Sequence, residues 1–93
     1  YLIDEGAEVN QSTDHGNTAL IVASQYGHKD VVQYLIDKGA EVNKSASDGG
    51  TALMSASHNA HLNVVQLLID ESAEVNQSAN DGTTALMLAS QNN

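Results

Sequence analysis

The chain has 93 residues, 41% hydrophobic and 16% charged, with three Tyr, no Phe, Trp or Cys, and a formal net charge of −9. It is too apolar for a disordered segment and too short for a deep enclosed active site, and it lacks the cysteines of a disulfide scaffold or thiolate zinc site. Twelve acidic residues against three lysines disfavour nucleic-acid phosphates and favour a protein partner that is neutral or basic at the contact, and the longest apolar run, Ala19 to Ala23, predicts no membrane insertion.

Taken in chain order, Tyr1-Leu2-Ile3-Asp4 reads as the last turn of a helix, and Ala7-Glu8-Val9-Asn10 as an extended exit. Asp14-His15-Gly16 follows as a polar turn ending in a residue that tolerates positive φ. Thr18 then caps a short first helix through Ala19, Leu20, Ala23 and Ser24, whose small residues allow a second helix to approach closely. After Gly27 a second helix is expected over His28 to Lys38, with Val31, Val32, Leu35 and Ile36 forming one apolar stripe. Gly39 ends it at a C′ position, and Ala40-Glu41-Val42-Asn43 leads out in extended form.

The same series then recurs. Ser47-Asp48-Gly49 and Asn80-Asp81-Gly82 are further turns, Thr51 and Thr84 further caps, and Ala73-Glu74-Val75-Asn76 a further exit. Displacing the chain by 33 residues matches 20 of 33 positions between residues 1–33 and 34–66 without a gap. A period of that length marks a stack in which each unit buries its apolar face only against its neighbours. The units fall at 1–12 (the end of one repeat), 13–45, 46–78 and 79–93 (the start of another). Because the apolar positions Leu2, Ile3, Leu86 and Leu88 have no polar capping unit beside them, the chain is expected to be part of a longer array.

These landmarks resemble the ankyrin repeat. The resemblance is carried by Gly16-Asn17-Thr18-Ala19-Leu20, Gly49-Gly50-Thr51-Ala52-Leu53 and Gly82-Thr83-Thr84-Ala85-Leu86, together with Gly27-His28 and Gly39-Ala40-Glu41-Val42-Asn43. It implies an all-α repeat fold, an ankyrin-type solenoid of helix-turn-helix units joined by β-hairpin-like turns. This chain departs from the family pattern in placing Ala where the family has Pro in all three Thr-Pro-Leu-His motifs, and Ile21, Met54 and Met87 where it has His. Ala60 and Ser72 stand at two family glycine positions, which predicts non-glycine residues in the left-handed region and a weak junction between the second and third units.

No catalytic constellation emerges, and no cofactor or metal is expected. His28 and His61 share one place in the repeat, where the resemblance implies a hydrogen bond to the adjacent loop rather than metal ligation. Asp14, Asp48 and Asp81 come one per turn, unlike the dense spacing of a calcium loop, and Asp48-Gly49-Gly50 has no nearby Lys to hold a phosphate. Asn10, Asn43 and Asn76 read as hairpin residues bonding to the turn that follows. The resemblance also gives them a second reading, as acceptor sites of the oxygen-sensing asparaginyl hydroxylase.

Within a stack, faithfully repeated residues serve packing, and those that differ between copies are free to read a partner. The differing positions are Asp14, Ser47 and Asn80; His15, Asp48 and Asp81; Asn17, Gly50 and Thr83; Gln25 and His58 with Gln91; and Tyr26 and Asn59 with Asn92. The resemblance places such turn tips and first-helix surfaces on a concave groove. Tyr26, the only aromatic in the set, is the expected anchor, and Tyr34 a packing residue. The expected function is non-catalytic protein binding, and the alternative is a structural spacer or elastic scaffold segment within a larger protein.

Overall fold

Three threonines start the first helix of each unit. Thr18 Oγ1 accepts from Ile21 N at 3.2 Å, Thr51 Oγ1 from Met54 N at 3.3 Å and Thr84 Oγ1 from Met87 N at 3.3 Å. Each bond satisfies one amide that the helix start would otherwise leave open. In a computed structural model of the chain, which describes residues 12–91, these caps open α1 (Ala19–Gln25), α3 (Ala52–His58) and α5 (Ala85–Gln91), while α2 (Lys29–Asp37) and α4 (Leu62–Asp70) are the longer second helices.

The four helices α1 to α4 close their C-termini in the same way. His28 N donates to Ala23 O, Ala40 N to Leu35 O, His61 N to Ala56 O and Ala73 N to Leu68 O, at 2.9–3.0 Å, and in each case the preceding residue has positive φ. This is the Schellman closure, which requires a left-handed residue at C′. Gly27 and Gly39 supply it at φ 74° and 99°, whereas Ala60 and Ser72 adopt it at 57° and 75°, as the sequence predicts. The strained residues therefore bracket a single helix, α4.

The helices form two layers. α1 packs on α3 and α3 on α5, α2 packs on α4, and each second helix covers the first helix before it. Ala23, Ala52 and Ala56 are buried where the layers meet, and Leu20, Val32, Leu35, Val64 and Leu68 are almost wholly enclosed. Each of those larger side chains contributes roughly 1.5–3 kcal/mol of burial. Of the predicted stripe, Val32 and Leu35 are buried, Ile36 is half-buried and Val31 is exposed. Tyr34, expected to pack, is 45% exposed with Lys38 Nζ 5.5 Å from its ring centroid. Its hydroxyl favours water and its ring face attracts the ammonium, whereas Leu67 at the same place in α4 is buried. Leu86 is 75% exposed, although its equivalents Leu20 and Leu53 are buried, because no second helix follows α5 among the described residues. Leu2 and Ile3 lie outside the described residues.

Between the helix pairs the chain makes three alike turns, at residues 13–17, 46–50 and 79–83, each closed by a pair of backbone bonds such as Ala46 N to Gly50 O and Gly49 N to Ala46 O. Isolated antiparallel bridges join Ser12 to Thr18 and Ser78 to Thr84, so the connections are hairpin-like without forming strands among the described residues. The tips stack by a repeating bond: Ser47 N donates to His15 O at 2.9 Å and Asn80 N to Asp48 O at 2.8 Å. Gly49 is required there, since a Cβ would lie 2.7 Å from Asn80 N and its φ is +83°.

Candidate functional site

Helical spacing places Ile21 and Gln25 on one face of α1, and Met54 and His58 on the matching face of α3. The turn tips project beside these faces, and together they enclose an open groove of about 400 Å³ running from Asn17 to Leu88. Eight of the residues that differ between units line it: Asn17, Gln25, Asp48, Gly50, His58, Asn59, Asp81 and Thr83. Ile21, Ala46, Met54, Ser55, Ala79 and Leu88 complete the lining. These six also differ from their equivalents in other copies, as Ile21 does from Met54 and Met87, Ser55 from Val22 and Leu88, and Ala46 and Ala79 from Thr13; a reading confined to polar, loop-borne differences leaves them out. Their signal was the i, i+4 spacing from Ile21 to Gln25 and from Met54 to His58.

The other expected residues stand apart from this groove. His15 and Ser47 border a neighbouring hollow with Asn17, Ala46 and Asp48. Asp14 is exposed at its turn. Ser47 and Asn80 hold the stack together: Ser47 Oγ donates to His15 O, and Asn80 Nδ2 to Ser47 O at 2.8 Å. Their variation is thus between two donors serving the same kind of inter-unit bond. Tyr26, expected as the anchor, is 63% exposed at the C-cap of α1, where its ring stacks on His28 at 6.3 Å, and it does not line the groove. The equivalent Asn59 does line the groove and donates Nδ2 to Gln25 O of the preceding unit at 3.2 Å. Asn92 and the side chain of Gln91 lie outside the described residues.

His61 Nε2 lies 3.1 Å from Gln25 O, an inter-unit bond in which the ring nitrogen donates. Asn43 differs from the sequence expectation. Instead of the turn that follows it, its side chain binds the next unit: Oδ1 accepts from Glu74 N at 2.6 Å and Nδ2 donates to Ser72 O at 3.4 Å. Gln77 Nε2 adds a bond to Asn43 O at 3.3 Å. Asn76 is exposed and its backbone N–H donates to Glu74 Oε1 at 3.2 Å, while Asn10 lies outside the described residues.

Two carboxylates define the groove's electrostatics. Asp48 Oδ1 accepts from Gly50 N at 2.8 Å and Asp81 Oδ1 from Thr83 N at 3.0 Å, so each is held by its own turn. Hydrogen bonds from the Thr83 side chain and backbone pull the Asp81 carboxyl below its ordinary range. Among the described residues no three His, Asp or Glu side chains converge as a metal site would require, and no helix is long and apolar enough to cross a membrane.

A family model described as ankyrin repeats (many copies) matches residues 1–36 and 20–69. No curated protein matches the chain. The family match spans residues 1–69 of the 93, a range that contains α1, α2, α3, all but the last residue of α4 and the turn tips at 13–17 and 46–50. The chain belongs to the ankyrin-repeat family.

Proposed function

We propose that this chain is a non-catalytic protein-binding module whose partner lies along the groove between the turn tips and the first helices. Ankyrin repeats are in general protein–protein interaction modules. The observation that carries the assignment to this groove is its lining. Polar residues that vary from unit to unit stand there beside an apolar floor in which Ile21 and Met54 are buried and Leu88 is half-buried, so the polar residues supply specificity and Leu88 an apolar contact to an incoming chain. The faithfully repeated polar groups, by contrast, are used within the stack: the threonines cap helices and His61 joins neighbouring units.

A bulky side chain at Ser55, half-buried in the groove wall, tests the assignment. Protein partners captured by this chain are expected to be lost on Ser55→Trp and kept on Gln66→Trp, an exposed site on α4, with both variants shown folded by circular dichroism. If the two variants capture the same proteins as the parent, the groove assignment fails and the spacer role becomes the better account.

A further inference from the structure

We infer that the occupant of this groove is an extended peptide segment carrying two basic side chains, one for Asp48 and one for Asp81, with an apolar side chain between them; this rests on the groove reading above. Charge complementarity selects the class of partner. The groove is lined by two carboxylates, one imidazole at His58 and no lysine. All three lysines of the chain lie elsewhere, Lys29 in α2, Lys38 at its C-cap and Lys44 in the exit that follows. A cation entering the groove therefore meets fixed negative charge, while an acidic segment is opposed both locally and by the net charge of −9.

The arrangement also limits how the segment lies. Asp48 and Asp81 hold the same place in successive stacked tips, while the tip before them carries His15. The paired charges thus occupy the second and third of the three tips and not the first, and that asymmetry gives a bound chain a direction. Between the tips and the helices, the half-buried Leu88, with the buried Met54 behind it, offers apolar contact to a side chain set between two cations. Side chains alternate sides along an extended peptide, so basic residues separated by an apolar one can meet both requirements when the chain runs across the repeats.

The test is selection from a random-sequence displayed peptide library on this chain, followed by binding of individual synthetic peptides measured by fluorescence anisotropy. Selected peptides are expected to carry Lys or Arg on both sides of an apolar residue and to weaken at raised ionic strength. Asp48→Asn with Asp81→Asn keeps the side-chain oxygen that accepts the turn amide and removes the charge. This variant is expected to weaken binding about tenfold, the effect of two partly exposed charge pairs. Asp30→Asn with Asp37→Asn, an equal charge change on α2, should alter affinity less than about twofold. Equal weakening by both double variants overturns the inference, since net charge alone would then explain it. Selected peptides that are neutral or acidic and are lost on Ser55→Trp also overturn it, but leave the groove reading standing. If no selected peptide is sensitive to Ser55→Trp, both readings fall.

Discussion

The His61 ring occupies the space left open by the missing side chain of Gly27: a Cβ built on Gly27 would lie 2.6 Å from His61 Nδ1. Gly27 also takes φ +74° to close α1, and His61 uses its other nitrogen to bind Gln25 O at 3.1 Å. One residue thus terminates a helix, and its neighbour in space ties two units together. Gly27→Ala should cost about 2–4 kcal/mol in chemical denaturation, from left-handed strain and displacement of the ring combined. A loss under about 0.5 kcal/mol would show that the junction yields without strain.

The opposite change should stabilise α4. Ala60 and Ser72 hold φ of 57° and 75° at its two ends, the same C′ role that Gly27 and Gly39 serve around α2. Ala60→Gly and Ser72→Gly should each raise stability by about 0.5–1 kcal/mol, the relief of strain being offset in part by the extra freedom of Gly in the unfolded chain. Hydrogen exchange should show amides of α4 opening more readily than those of α2 in the parent chain, with the difference shrinking in the double variant.

Asn43 and Asn76 occupy equivalent positions but have different partners. Asn43→Ala removes an acceptor for Glu74 N and a donor to Ser72 O, and should cost about 1–2 kcal/mol in urea denaturation. Asn76→Ala, at an exposed residue, should stay within about 0.5 kcal/mol. Equal effects from the two would show that the inter-unit clamp contributes nothing beyond a local turn preference.

Ser24 Oγ is buried in α1 without a hydrogen-bond partner. Ser24→Ala should therefore be neutral or stabilising by up to about 1 kcal/mol, because it removes an unsatisfied hydroxyl and improves helix propensity. Thr51→Ala, at the N-cap of α3 in the next unit, should instead destabilise by about 1 kcal/mol through loss of the cap on Met54 N. Thermal melts of the two variants should move in different directions from one another, and a clear destabilisation by Ser24→Ala would mean that the hydroxyl has a partner in solution.

Asp81 sets the acid side of the groove. Its carboxyl is held below the ordinary range by the side-chain and backbone hydrogen bonds of Thr83. A lowered folded value means that the contribution to stability is present above the unfolded value, near pH 4, and is lost as pH falls through the folded value. An NMR titration of the Asp81 side chain should give a midpoint below that of an unstructured aspartate. Thr83→Val, which deletes the hydroxyl, should move that midpoint upward, and a midpoint that does not move would remove the side-chain hydrogen bond as the cause.

The sequence by itself determined everything that depends on local chemistry. Thr18, Thr51 and Thr84 cap helices because a hydroxyl reaches the amide three residues on, and Gly27 and Gly39 end them because glycine accepts positive φ. The left-handed Ala60 and Ser72 were legible in the same way, by aligning them with glycines one repeat away. The tertiary structure alone decided which repeated and varying residues meet. Asn43 reaches 31 residues ahead to Glu74, Asn80 reaches 33 back to Ser47, and Asn59 reaches 34 back to Gln25. The physical reason is that the first set of interactions closes within a few residues, whereas the second arises only when one unit is laid against the next. A period of 33 in the sequence fixes how many residues separate equivalent positions, but the stacking of the folded units decides which side chains lie across that step.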